Sequence, residues 1–348
     1  MRPLPVENPP NPWASSAVEY LEAVPQAKLE VYSDASRAII AKNDSPDVGF
    51  AFSVNPYRGC NHGCAYCFAR PTHEYLSFGA GTDFDTKIVV KREAPRLLAE
   101  AFDRPSWRGE VVMFSGVTDC FQPLEASLRL TRGCLEVCAR YRNPVSIVTK
   151  APLIERDLDV LRSLSQVASL HVTISIPIWD EGVARALEPG VATPRRRLAT
   201  IAALARAGLS VGVLVGPFIP GLSEEGLGHI LEGARDAGAT TATYVLLRLP
   251  GPVKDVFEAR LRATLPGRAE KILGRVRETR GGKLYDSRFV VRGRGEGPYA
   301  EAIGALFWTT AKRLGLKATL GPRADTFRRP SQSPQLELFE PVSRSSAP

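Results

Sequence analysis

Six short stretches rich in β-branched residues punctuate the chain: FAFSVNPY (50–57), EVVMFSG (110–116), VSIVTK (145–150), SLHVTISIP (169–177), SVGVLVGPF (210–218) and TATYVLLRL (241–249). Helical patterns separate them. In TPRRRLATIAALARAG, Thr193 is the N-cap, Pro194 takes the first helical position, Gly208 lies past the end, and Leu198, Ile201, Ala202 and Ala205 form the apolar face. In SEEGLGHILEGARDAG, Ser223 caps, Glu224 and Glu225 suit the positive helix start, and Leu227, Ile230, Leu231 and Ala234 form the stripe. Repeated strand–helix units imply parallel strands joined by right-handed crossovers, with helices outside one sheet. The predicted fold class is therefore α/β, a partial (β/α)6 TIM-like barrel, with an open doubly wound sheet as the alternative. In both architectures ligands sit beyond the C-terminal ends of the strands, so residues just after each strand are the chemical candidates.

At 348 residues and 44% hydrophobic content the chain can bury a sizeable core. No apolar run approaches the roughly 18 to 20 residues that span a bilayer, so no membrane association is expected. The N-terminal MRPLPVENPPNPW carries prolines where an export signal needs a continuous apolar stretch, and a cytoplasmic location is expected. Residues 1–15 are read as a disordered, proline-rich segment, 16–320 as the barrel domain with a helical extension, and 321–348 as a disordered tail rich in Pro, Ser and Arg. The extension, AEAIGALFWTTAKRLG, is expected to pack Ile303, Leu306, Phe307 and Leu314 on the barrel. A net charge of +8 favours acidic partners, nucleic acid above all.

Directly after the first strand, RGCNHGCAYCFAR places Cys60, Cys64 and Cys67 in a C-x3-C-x2-C spacing. Three soft thiolates on one loop suit an iron–sulfur cluster or zinc; a four-iron cluster held by three cysteines keeps one iron open for a ligand. The zinc reading would take His62 or His73 as fourth ligand. His62 otherwise reads as a loop hydrogen-bonding residue and His73 as a helix-surface residue. The remaining cysteines, Cys120, Cys134 and Cys138, are too few for disulfides to be the favoured reading; Cys134 and Cys138, four apart beside Leu135 and Tyr141, read as core packing.

The cysteine spacing, with aromatic Tyr66 before the last cysteine, resembles the signature of the radical S-adenosylmethionine (SAM) superfamily. That resemblance implies a barrel of the radical SAM type, a 4Fe-4S cluster whose open iron chelates SAM, reductive cleavage to a 5'-deoxyadenosyl radical, an electron-donor protein, and contact between the Tyr66 backbone and adenine. Residues 50–250, through MFSGVTDCFQPLE and the TKA after the third strand, are similar to the spore photoproduct lyase-like branch. By that similarity Ser115, Thr118 and Asp119 lie near the methionine part of SAM, Lys150 near its carboxylate, Ser175 near the ribose, and Val215, Gly216 and Pro217 near the adenine. The lyase has a hydrogen-donating cysteine where this chain has Gly116 and Val117, and Cys120 is the candidate substitute.

Two further features bear on the substrate. QLELF in the tail is similar to the pentapeptide by which bacterial replication and repair proteins dock on the DNA sliding clamp, with Gln335, Leu336, Leu338 and Phe339 matching. SRFVVRGRGEGPY (287–299) mixes Arg288, Arg292 and Arg294 with aromatic residues, a pattern that can hold nucleic-acid phosphates and bases. The expected function is a radical SAM enzyme acting on nucleic acid in a repair-like reaction. The alternatives are radical SAM modification of RNA or protein, or a non-catalytic zinc- or cluster-bearing nucleic-acid-binding protein.

Overall fold

The computed structural model describes residues 28–47, 49–319 and 325–330. Six parallel strands form the centre: β1 (Phe52–Val54), β2 (Val112–Phe114), β3 (Val145–Thr149), β4 (Leu170–Ser175), β5 (Val211–Phe218) and β6 (Thr241–Leu246). They lie in chain order, as expected of right-handed crossovers, and a short antiparallel strand, Ile40–Lys42, flanks β1. The sheet is a partial barrel: among the described residues β6 pairs with β5 and not with the opposite edge. Helices cover the strands outside, so most strand residues are buried on both faces, which is why VSIVT and VGVLVGPF read as near-continuous apolar runs.

The crossover helices are α1 (Ala94–Asp103), α2 (Leu130–Arg140), α3 (Leu158–Val167), α4 (Pro194–Arg206) and α5 (Leu227–Asp236), and the later helices α6 (Val253–Thr264), α7 (Pro266–Glu278) and α8 (Pro298–Arg313) follow β6. Thr193 caps α4, its Oγ accepting from the Arg196 amide at 3.3 Å, and Gly208 beyond the helix has φ +80°. The buried face of α4 is rotated from the expected one. Arg197, Thr200, Ile201 and Leu204 are buried while Leu198, Ala202 and Ala205 are half-buried, because Arg197 turns inward to meet a buried carboxylate. In α5 the expected stripe of Leu227, Ile230, Leu231 and Ala234 is buried. Ser223 does not cap that helix; it sits in a preceding 3-10 turn, where its Oγ accepts from the Ile219 amide and donates to the Pro177 carbonyl. Of the extension, Ile303 and Phe307 are buried and Leu314 packs on the core, but Leu306 is 45% exposed. Cys134, Leu135 and Cys138 are fully buried in the core.

A second, three-stranded sheet pairs Glu30–Ser33 parallel to Lys87–Val90, which in turn pairs antiparallel to Tyr57–Arg58. It grips the chain just before the cysteine loop. Residues 325–330, expected in an unstructured tail, are instead pinned to the body. Phe327 packs against Phe102 and Tyr141, and Arg329 donates to the carbonyls of Phe102, Arg104 and Trp107 at 2.7–3.0 Å. Burial of one phenylalanine contributes roughly 1.5–3 kcal/mol, enough to hold so short a segment. Gly109 makes room for it: at φ +84° a Cβ there would lie 2.3 Å from Phe327 Cβ. Trp107 and Tyr141 precede β2 and β3, so this strap docks at the N-terminal ends of the strands. No helix among the described residues is long and apolar enough to cross a membrane.

Candidate active site

The loop after β1 carries Cys60, Cys64 and Cys67, all free thiols; the first two are buried and the third is half-buried. Its path is set by backbone hydrogen bonds and by one arginine. Arg70 is fully buried and donates to the Cys64 carbonyl at 2.8 and 3.1 Å, to Ala80 and Gly81 carbonyls at 2.9 and 2.8 Å, and to Asp85 Oδ1 at 2.9 Å. Five contacts fix a planar guanidinium in one orientation, and the loop with it. Gly59 and Gly63 both take positive φ here, and a Cβ on Gly59 would lie 2.8 Å from the His73 ring. His73 is therefore not a surface residue: it is wholly buried, with Nε2 2.8 Å from the Lys87 carbonyl.

The donor set fits an iron–sulfur cluster. Burial raises the proton affinity of all three thiols, pushing Cys64 up to about 12, and Cys64 and Cys67 each add to the rise at Cys60 as near neighbours. Lys150 opposes the rise at Cys64 and Cys67, and Arg70 does so at Cys67. Among the described residues no three His, Cys, Asp or Glu side chains converge tightly enough to hold a single metal ion. A 4Fe-4S cluster takes each of three thiolates on a different iron and so needs no convergence on one ion.

The strand ends beyond this loop bring the other predicted residues together. Asp119, after β2, accepts from Thr149 Oγ1 at 2.7 Å, the Lys150 amide at 2.8 Å and the Phe121 amide at 3.0 Å, and faces His62 Nδ1 at 3.4 Å. It ties β2, β3 and the cysteine loop into one unit. Burial lowers the His62 pKa, against the pull of Asp119, and favours the neutral imidazole. Lys150 stands 5.6 Å over the Tyr66 ring, and its ammonium makes no hydrogen bond or ion pair among the described residues. An ammonium without a hydrogen-bonded partner, close enough to Cys64 and Cys67 to act on both thiols, can meet an anionic group there.

The hydroxyls of three other predicted residues bond the protein backbone. The Thr118 hydroxyl donates to the Tyr57 carbonyl at 2.9 Å, Ser115 Oγ accepts from the Cys120 amide at 2.9 Å, and the Ser175 hydroxyl donates to the Gly216 carbonyl at 2.7 Å. Ser175 thus joins β4 to β5 next to buried Val215 and Gly216. Cys120 is 1% exposed and packs into the core beside Asp119 and Ser115. QLELF, with Gln335, Leu336, Leu338 and Phe339, lies outside the described residues.

A buried charge network escaped the sequence reading. The Tyr66 hydroxyl donates to Glu188, Glu188 pairs with Arg197, and Arg197 also donates to the carbonyls of Ser175 and Ala192, each at 2.9 Å. Burial pushes the Glu188 carboxyl up, but Arg197, Lys150 and the Tyr66 hydroxyl outweigh it and hold the group below its usual range. The network runs from the cluster loop to the ends of β4 and β5. Neither residue carried a signal: Arg197 is one of three consecutive arginines, and Glu188 sits in a loop.

Residues 54–234 match the family model described as the Radical SAM superfamily. The chain belongs to the radical SAM superfamily. As a radical SAM enzyme it works with a 4Fe-4S cluster and SAM. An uncharacterized protein of Mycobacterium tuberculosis is 40% identical over 231 residues, covering 66% of this chain and 67% of that one. Another, from Methanocaldococcus jannaschii, is 27% identical over 196 residues, 56% of this chain and 70% of its own length. Among solved structures, spore photoproduct lyase complexed with dinucleoside spore photoproduct superposes with a TM-score of 0.58 at 17% identity, over 83% of this chain and 81% of that one. At that identity the likeness establishes a shared fold.

When bound, cluster and SAM supply a 5'-deoxyadenosyl radical that abstracts hydrogen from a substrate. The chain's own residues position and enclose that chemistry. Arg70 fixes the cysteine loop, Asp119 couples it to two strand ends, and the Tyr66–Glu188–Arg197 network ties it to the end of β4. A desolvated, preorganised network of this kind orients a ligand without further rearrangement.

Proposed function

We propose that this radical SAM enzyme acts on nucleic acid, abstracting hydrogen from a nucleotide in a repair-like reaction related to that of spore photoproduct lyase. The observation that carries this reading is the extent of the fold likeness: it covers 83% of the chain, beyond the 54–234 segment common to the superfamily. A net charge of +8 adds support. In this reading Cys60, Cys64 and Cys67 each bind one iron, Lys150 receives the SAM carboxylate, Asp119 and Ser115 border the methionine part, and Tyr66, Ser175, Val215 and Gly216 enclose the adenosine. Because Cys120 is buried in the core, the proposal does not route hydrogen return through it. An electron-donor protein is required, and a cytoplasmic setting is proposed.

The test is anaerobic turnover of the reconstituted holoenzyme under a strong reductant, with 5'-deoxyadenosine release as the readout. Ultraviolet-irradiated DNA should raise that release severalfold over SAM alone. Stimulation by RNA or by protein but not by DNA would remove the repair reading. For the tail, we propose that QLELF docks on the DNA sliding clamp; the strap at 325–330 roots the tail at the end of the barrel remote from the cluster loop, so docking would leave the mouth clear. Deletion of residues 331–348 should abolish clamp binding and leave SAM cleavage intact, and a truncated protein that still bound the clamp would defeat the idea.

A further inference from the structure

Arg248, two residues past the end of β6, sits at the barrel mouth with its guanidinium 5.6 Å from the centre of the Phe68 ring, and Phe68 directly follows Cys67. Its Nε is buried without a hydrogen-bond partner, and among the described residues no carboxylate contacts the group. The neighbouring Arg280 also makes no ion pair among the described residues, although Asp286 and Glu296 act on it through space. Among the described residues its guanidinium donates to the carbonyls of Leu247, Val291 and Arg292 alone, and its Nε is buried and unpaired. A buried polar group left unsatisfied is costly; Asp47 acts on Arg248, and Asp286 and Glu296 on Arg280, only through space, so the buried Nε of Arg248 keeps a hydrogen bond to offer an anion at the mouth. The Arg280 contacts also draw in a second aromatic–arginine pair. Arg292, fixed by Asp47, lies 4.3 Å over the ring of Phe289. Phe68 and Phe289 are 49% and 54% exposed.

We propose that Arg248 receives a backbone phosphate of single-stranded nucleic acid, with a base stacked on the exposed ring of Phe68 and a neighbouring base on Phe289. Two flat exposed rings interleaved with guanidinium groups match a ligand that alternates bases and phosphates, and stacking of this type tolerates any base. The inference deepens the nucleic-acid reading of the function and rests on it. It also assigns different roles to the arginines of the 287–299 stretch. Arg288 is paired with Asp286 and Glu296 and Arg292 with Asp47, whereas Arg248, on another segment, has an unpaired buried Nε beside Phe68.

The experiment is fluorescence anisotropy of a labelled single-stranded deoxyoligonucleotide with the anaerobic holoenzyme, titrated at several salt concentrations. Arg248→Ala should weaken binding roughly tenfold and reduce the salt slope by about one, and Phe68→Ala should weaken it to a similar degree with the slope unchanged. Arg248→Lys keeps the charge and should restore the slope, which separates a local role from misfolding. Arg313→Ala, on the outer face of α8, controls for loss of one surface charge. Wild-type affinity and slope in Arg248→Ala would overturn this inference while leaving the broader reading in place. Failure of the wild type to bind any DNA or RNA would remove both. Displacement by dTMP at equal phosphate concentration would overturn the assignment to a polymer.

Discussion

Cys60→Ala, Cys64→Ala and Cys67→Ala each yield a protein that, reconstituted anaerobically with iron and sulfide, lacks the visible absorbance of a 4Fe-4S cluster and releases no 5'-deoxyadenosine from SAM. The thiolates come from one loop, and the site already leaves one iron without a protein ligand; removing a second protein ligand leaves two irons without one. The fold should survive the change, because Arg70 holds the loop through the Cys64 backbone carbonyl rather than through any sulfur. Thermal melting of the metal-free variants should therefore stay close to that of the metal-free parent. A variant that kept full cluster absorbance would refute the ligand assignment. A parent protein that bound one zinc and no iron would refute the cluster itself.

The second large effect is expected at Arg197. Removing it as Arg197→Ala leaves Glu188 wholly buried beside Tyr66 with no guanidinium, and breaking a buried pair in this way costs about 3–5 kcal/mol. Urea unfolding of the reduced, metal-free protein measures it. The double change Arg197→Met with Glu188→Gln should cost less than the single one, since no buried charge remains. The pH dependence follows from the sign of the shift. In the parent, Glu188 titrates below its unfolded value, so its contribution is present above about pH 4.3 and fades as pH falls through the folded pKa. In Arg197→Ala only Lys150 and the Tyr66 hydroxyl still oppose burial, so that pKa rises from its value in the parent, protonation relieves the penalty and the deficit narrows toward acid. A deficit that stayed constant from neutral pH to pH 4 would show that lost packing, not an uncompensated charge, is responsible. SAM affinity should fall too, because Tyr66 loses its fixed acceptor.

Much of this architecture was legible in the residues. The six strands emerged because parallel strands buried on both faces are written as unbroken apolar runs, and α4 announced itself through Thr193, Pro194 and Gly208. The cysteine loop was legible because its chemistry is local, three soft ligands within eight residues. The side sheet was not. Glu30–Ser33 is four residues long and largely exposed, without the alternation that marks a half-buried strand, and its partner Lys87–Val90 lies more than fifty residues away.

Chemistry and scaffold are written in the linear order of residues: which thiols gather on which loop, and that this loop follows the first strand of a parallel array. Those properties depend on near neighbours and on periodicity, which a linear string preserves. Which polar groups bond the protein and which stay without a partner is set by packing between distant segments. It turned Arg197 inward to Glu188, spent the hydroxyls of Thr118 and Ser175 on backbone carbonyls, buried Cys120 in the core and left the Nε of Arg248 unpaired beside Phe68. Such pairings join residues distant in sequence, and whether a charge is buried with a partner or without one is settled by what packs against it.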